Sequence, residues 1–217
     1  MDNGIKSKDR VKDFGEVFTP DKIVNDMLNL VDEQIKDLDY ISAIFLEPAC
    51  GDGQFLIRIL YRKLLKVAEL PVDQRPLALV KALSSIYAVD IQADNVEEAR
   101  KRLFKVATGQ EVTTFDLDNK IQTIKVELGI EYSEQLKTVI NTILDWNIIV
   151  GNTLEPDTVV LKSYHFNNTK VSIADATLNA LSFEYNATAE VDFMSLPSLI
   201  TTEDDSDEFD FVSVGRN

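Results

Sequence analysis

An acid, a proline and two glycines stand together in Glu47-Pro48-Ala49-Cys50-Gly51-Asp52-Gly53, between an apolar run that ends at Leu46 and an amphipathic stretch that starts at Gln54. A strand that ends in glycines and gives way to a helix leaves backbone N–H groups free and lets a ligand approach the main chain closely. A second acid, Asp90, closes the next apolar run, Ser85-Ile86-Tyr87-Ala88-Val89. A carboxylate at a strand tip can accept from both hydroxyls of a ribose, so the loop and Asp90 together describe a nucleoside-type site. The alternative for Asp90 is to cap the helix that begins nearby, and Asp52 has the same alternative at the helix from Gln54. Cys50, inside the loop, reads as a small, soft residue filling a tight turn rather than as a nucleophile.

These residues need a strand–loop–helix frame, and the periodicity predicts one. Thr19-Pro20-Asp21 reads as a helix start, with Thr19 as N-cap and Pro20 in the first helical position. Ile23, Met27, Leu30, Val31 and Ile35 give the helix its apolar stripe. Strands are predicted over 41–46, 85–90 and 146–150, the last running into Gly151-Asn152-Thr153, and helices over 54–69, 76–83, 93–107 and 131–144. Two helices therefore separate Gly53 from Asp90, which lengthens their spacing beyond the roughly 20 residues of a dinucleotide fingerprint. After residue 153 the pattern weakens, with 171–173 and 181–185 as halves of an irregular hairpin and 209–214 as a fourth parallel strand. Strands alternating with helices predict a doubly wound α/β domain with a mostly parallel sheet. Residues 1–12 are expected to be loosely ordered, 13–152 to form the ligand-binding core, 153–208 to be an insertion and 209–217 to hold the last strand.

At 217 residues and 45% hydrophobic content the chain suits one domain with a sizeable core. No run of about 18 apolar residues predicts a membrane span, and Met1-Asp2-Asn3-Gly4-Ile5-Lys6 lacks the apolar core of a signal peptide. A single cysteine excludes an internal disulfide and fits a reducing cytoplasm. Lys and Arg number 22 against 37 Asp and Glu, a net charge of −15. DNA affinity rests on cations that neutralise phosphates, so this balance assigns any DNA recognition to another domain or subunit. The acidic run Glu203-Asp204-Asp205-Ser206-Asp207-Glu208 is expected before a strand, away from the ligand end. Arg58, Arg62, Lys63 and Lys66 share one helical side, as do Arg100, Lys101 and Lys105, and both groups read as solvated faces. His165, the sole histidine, reads as a loop or core residue, with no cluster of ligands to make a metal site.

Asp13-Phe14-Gly15-Glu16-Val17-Phe18-Thr19-Pro20 followed by the 45–55 segment resembles the start of an S-adenosylmethionine-dependent DNA adenine-N6 methyltransferase of the gamma class. That class includes modification subunits of type I restriction systems and similar fused type II enzymes. The resemblance spans roughly residues 13–160 and implies a Rossmann-like class I methyltransferase fold with S-adenosylmethionine as cofactor. It implies that Glu47, Pro48, Ala49, Gly51, Asp52 and Gly53 line the methionine portion, with Phe18, Thr19 and Pro20 against the same end. Asp90 would hold the ribose, Ile91 would pack on the adenine, and Asn152 and Thr153 would flank the adenine edge. Many relatives carry Asp where Asn152 stands, and an amide can still hydrogen-bond an exocyclic amine.

The same family holds its target amine with an Asn (or Asp)-Pro-Pro-aromatic motif after the fourth strand. Its Asn and a backbone carbonyl accept the two amine protons while the ring stacks on the flipped base. The chain contains no Asn-Pro-Pro. Phe209-Asp210-Phe211-Val212-Ser213-Val214-Gly215-Arg216-Asn217 resembles the lead-in, with Asn217 in the place of the motif's first residue. The resemblance thus implies the cofactor-binding part of such an enzyme, inactive alone, meeting DNA through a recognition domain or partner subunit that the chain lacks. Two other readings are a methyltransferase for RNA or protein, and a non-catalytic cofactor-binding partner of another protein.

Overall fold

A computed structural model describes residues 19–36, 38–115, 121–168, 170–177, 190–192 and 194. Phe18, Asn217, the acidic run at 203–208, the hairpin half at 181–185 and the strand expected at 209–214 lie outside them. The described chain is α/β. Strands β1 (Phe45–Glu47), β2 (Ile86–Asp90) and β5 (Ile148–Val150) form a parallel sheet in the order β1-β2-β5. Their register pairs Glu47 with Ala88, and Asp90 with Val150, so all three strands end on the same side.

Helices α1 (Asp21–Gln34), α2 (Gln54–Ala68), α3 (Arg75–Ser84), α4 (Ala93–Ala107) and α5 (Glu134–Asn147) surround the main core. Leu56, Leu60, Leu64 and Val67 of α2 recur at helical spacing and are fully buried. Val96, Ala99, Leu103 and Val106 of α4 do the same. Alternation along β2 sends Ile86 and Ala88 into this core, whereas Tyr87 and Val89 face the other way, into a second cluster with Val159 and Leu161. Strand β6 (Val160–Asn167) brings Leu161 and Tyr164 to that second cluster and forms an antiparallel sheet with β7 (Lys170–Thr177) and β8 (Glu190–Asp192). A small hairpin, β3 (Val112–Phe115) with β4 (Ile121–Ile124), completes the strands. None of the described helices is long and apolar enough to cross a membrane.

Several expectations are corrected. Pro20, not Thr19, is the cap residue of α1, and no side chain caps that end. The stripe of α1 is also rotated: Val24 and Leu28 are buried, whereas Ile23, Met27 and Leu30 are exposed. The cause is Asp21, buried against Arg58 in a two-bond ion pair that fixes which side of α1 faces α2. Arg58, Arg62 and Lys63 are accordingly no solvated face. Arg58 also reaches Thr114 Oγ1 at 3.4 Å and Gln122 Oε1 at 3.3 Å on the small hairpin. Arg62 pairs with Asp32 and donates to Asn29 Oδ1 at 2.9 Å. Lys63 is fully buried and donates to the carbonyls of Tyr40 (2.9 Å), Ile41 (3.0 Å) and Ala43 (2.6 Å) and to Ser85 Oγ (2.9 Å).

The third parallel strand is shorter than expected because α5 runs on through Trp146 to Asn147. Arg100 holds that helix end through the carbonyls of Asp145 and Ile148, both at 2.8 Å. The Asn147 side chain donates to Ile86 O at 3.1 Å and accepts from Tyr164 OH at 2.8 Å. Val171–Ile173 does lie in a hairpin, but its partner is Tyr164–Phe166, across a turn with Asn168 at φ +52°. His165 sits on β6 opposite Ser172 and is exposed.

Candidate functional site

The glycine loop leaves β1 as expected. Cys50 N–H donates to Val89 O at 3.1 Å, extending the parallel pairing by one bond past β1. The chain then turns, with Gly51 at φ +53° and Gly53 at φ +87°, and Gly53 N–H donates to Cys50 O at 2.9 Å. Gly53 is required twice over. Its backbone is in the left-handed region, and a Cβ there would stand 3.0 Å from Ala99 Cβ and 3.2 Å from Ala99 Cα on α4. Neither glycine is decorative in the turn, and α2 starts directly after Gly53 with no side-chain cap.

Asp90 is the hub of the site. Its Oδ2 accepts from Gly51 N–H at 2.8 Å, its Oδ1 accepts from Gln92 N–H at 2.9 Å and from Asn95 Nδ2 at 3.4 Å, and its carbonyl accepts from Gly151 N–H at 3.0 Å. One residue thus ties the loop after β1, the entry to α4 and the turn after β5 into a single edge. With 8% of its surface exposed, Asp90 spends most of its lone pairs on the protein. A carboxylate offers about four acceptor sites, so about one is left for a ligand hydroxyl. The capping alternative is therefore partly realised, at the N–H of Gln92 that precedes the helix.

Asp52 does not cap α2. Its carboxylate pairs with Arg102 Nη1 at 2.7 Å, and the same nitrogen donates to its carbonyl at 2.9 Å. Arg102, buried on α4, was not legible as a site residue in the sequence. Its only signal is a position one residue before Leu103, on the inward side of that helix.

Glu47 is half-buried beside the loop. Burial pushes its carboxyl above the ordinary carboxylate value, opposed by the N–H of Ala49, which approaches Oε1 at 3.4 Å. Pro48 and Ala49 are exposed, so the first half of the loop borders solvent. The Cys50 thiol is pushed up to about 12, by burial first and then by the Asp90 and Glu47 carboxylates. It remains protonated and fits the turn-filling role.

On the far side of Asp90, Ile91 is 63% exposed. A Cβ at Gly151 would stand 3.1 Å from Val89 Cγ1 and 3.2 Å from Val159 Cγ2, so those side chains would have to shift by a few tenths of an ångström. Asn152 shapes the next turn: its Oδ1 accepts from Leu154 N–H at 3.1 Å and its Nδ2 donates to Glu155 Oε1 at 3.2 Å. Thr153 is half-buried, and Leu154, at 89%, stands in solvent beside it. Thr19 and Pro20 lie at the start of α1, which the Asp21–Arg58 pair holds against the second turn of α2.

The Asp90 edge thus gathers polar and backbone groups from three loops at one end of the parallel sheet. Two left-handed glycines, whose N–H groups donate to Asp90 Oδ2 and to Cys50 O, stand beside the half-buried carboxyl of Glu47. An exposed apolar side chain, Ile91, follows the Asp90 hub. The side-chain Nε2 of Gln92 is buried with no hydrogen-bond partner, a polar atom that awaits one. Among the described residues no group of three or more His, Cys, Asp and Glu is placed to hold a metal ion. Comparison with protein-family models, with curated proteins and with solved structures finds no match to this chain.

Proposed function

We propose that this chain is the S-adenosylmethionine-binding domain of a DNA adenine-N6 methyltransferase of the restriction–modification kind. The observation that carries the reading is the joining of the glycine loop, Asp90 and Gly151 at one end of a parallel sheet, through Gly51 N–H to Asp90 Oδ2 (2.8 Å) and Gly151 N–H to Asp90 O (3.0 Å). Ligands of open α/β sheets bind at the carboxyl ends of the strands, where these groups stand. The sheet is, on this reading, part of a Rossmann-like class I methyltransferase fold.

In this reading Glu47, Pro48, Ala49, Gly51, Asp52 and Gly53 line the methionine portion together with Thr19 and Pro20. Asp90 takes one ribose hydroxyl on its remaining lone pair, and Gln92 Nε2 supplies a donor that the protein does not use. Ile91 packs on the adenine, whose edge meets Asn152 and Thr153. When bound, the cofactor supplies a methyl group on a cationic sulfur, ready for in-line displacement by a nucleophile. Activating an adenine amine needs acceptors for its two protons and a ring to stack on the flipped base. The sequence holds no Asn-Pro-Pro element to supply them, so the expected outcome for the chain alone is binding without transfer.

Calorimetric titration of S-adenosylmethionine into the purified chain tests this. Asp90→Ala would disturb the loop as well as the ligand, because Gly51 and Gln92 both donate to Asp90. Ile91→Asp is the cleaner control, since Ile91 is a surface residue whose change leaves the core intact. We expect saturable binding by the unaltered chain and about tenfold or greater weakening in Ile91→Asp, with no change in melting temperature. Absence of binding by the unaltered chain overturns the reading. Methyl incorporation into DNA by the chain alone overturns the expectation of binding without transfer.

A further inference from the structure

Arg102 sits on α4 with 7% of its surface exposed and reaches the glycine loop with one end of its guanidinium. Nη1 donates to Asp52 O at 2.9 Å and pairs with Asp52 Oδ2 at 2.7 Å. Nη2 donates to Gln54 Oε1 and to Thr113 O, both at 3.2 Å. The planar fork thereby links the loop, the first turn of α2 and strand β3. The left-handed bend at Gly51 and Gly53 has no side-chain cap at the start of α2. The loop is gripped from opposite sides instead, by Asp90 on Gly51 and by Arg102 on Asp52.

Such a grip has a chemical consequence. A loop that lines a ligand site loses affinity when its backbone must first be ordered. Arg suits the task and Lys does not. Its rigid fork meets two carbonyls, a carboxylate and a side-chain amide at once, while an ammonium is a point donor on a flexible stem.

We propose that Arg102 is a positioning residue that sets the glycine loop for the amino-acid end of the cofactor. The proposal rests on the reading given under Proposed function. Arg102 bonds to Asp52 and Gln54 and not to Asp90 or Ile91, so its direct contacts lie on the methionine side, while Asp90 keeps its own bond to Gly51 N–H. The site is thereby divided into two halves that a substitution can separate.

The test uses Arg102→Lys and Asp52→Asn in the full chain, with Arg102→Met as a harsher variant. Affinities for S-adenosylmethionine and for 5′-methylthioadenosine, which lacks the amino-acid end, are measured beside amide hydrogen exchange of residues 51–53 without ligand. We expect Arg102→Lys to weaken S-adenosylmethionine about tenfold and leave 5′-methylthioadenosine within twofold, with faster exchange at residues 51–53. Asp52→Asn should shift the same quantities in the same direction by less, because the carbonyl contact survives. Equal losses for the two ligands, or unaltered affinity for both, overturn the proposal and leave Arg102 a packing residue. If the unaltered chain binds neither ligand, the cofactor reading itself falls. Exchange alone then decides whether Arg102 sets the loop, and unchanged rates in Arg102→Lys overturn that.

Discussion

Lys63 has its ammonium in a cage of four oxygens from three loop carbonyls and Ser85. Nζ also stands 4.9 Å from the Phe45 ring centre and 5.8 Å from that of Tyr40, positions that favour a cation. Burial acts the other way and pulls its pKa from 10.5 to about 7, with the Asp39 carboxylate opposing the shift. A neutral amine has only two N–H bonds, so losing the proton leaves carbonyls in the cage without a donor. The sign of the pH dependence follows. Below about 7 the native and unfolded chains both hold the proton, and between about 7 and 10.5 only the unfolded chain does. The unfolded state then binds more protons, so the lysine's contribution to stability rises with pH across that window. Urea midpoints of the unaltered chain and of Lys63→Met, taken from pH 6 to 10, isolate the effect as a difference. We expect Lys63→Met to cost about 2–4 kcal/mol near neutral pH, from carbonyls left without donors. The gap should widen above pH 7 by at most about 1.4 kcal/mol per pH unit. A gap that stays flat would mean that the cage keeps Lys63 charged throughout.

Among the elements, α1 depends most on a single contact. Only Val24 and Leu28 of its apolar residues are fully buried, so the Asp21–Arg58 pair carries much of its orientation on α2. Both ions are nearly out of water, and removing one strands the other. Asp21→Ala should therefore cost about 3–5 kcal/mol, whereas the double change Asp21→Leu with Arg58→Met should cost clearly less. Denaturant midpoints of the four chains in the cycle give the coupling, and a single-mutant cost below about 1 kcal/mol would place the pair with solvent-exposed ion pairs. The same contact marks the limit of reading this chain as a sequence. Helix α4 was legible to the residue, because Val96, Ala99, Leu103 and Val106 form one uninterrupted stripe. The loop, Asp90 and Gly151 were legible because each ends an apolar run. The charges of α2 were not, since a basic stripe facing water and one facing acids of another helix have the same periodicity. Asp21 and Asp32, which decide between the two, lie more than two dozen residues upstream and meet α2 only in the fold. Hairpin β3–β4 carries a weaker signal, since Val112-Thr113-Thr114 and Gln122-Thr123-Ile124 hold β-branched residues but form no apolar run.

At the scale of the whole molecule, the placement of charge bears on what the fold can meet. The chain carries 22 Lys and Arg against 37 Asp and Glu, and several of those cations are committed internally. Arg58 and Arg102 are buried on carboxylates, Lys63 is buried among carbonyls, and Arg75 donates to the carbonyls of Leu70 at 2.8 Å and Leu128 at 2.6 Å. Arg100 is held at the end of α5. Surface cations such as Lys22, Lys66 and Lys101 each lie beside an acid. Non-specific duplex affinity scales with phosphates neutralised, and ordinary DNA-binding domains reach dissociation constants of about 10⁻⁴–10⁻⁶ M at physiological salt by that route. Many cations of the described residues are thus already engaged, which leaves fewer to release counterions. We expect the chain alone to bind a random 30-base-pair duplex more weakly than about 10⁻⁴ M, with almost no dependence on salt. Fluorescence anisotropy at 50 and 200 mM salt checks this with one labelled duplex. Micromolar binding that falls steeply with salt would mean that a basic surface does form, and the chain could then approach DNA unaided. Weak, salt-independent binding is what a surface whose cations are largely engaged predicts, and any meeting with DNA would then need positive charge from outside this fold.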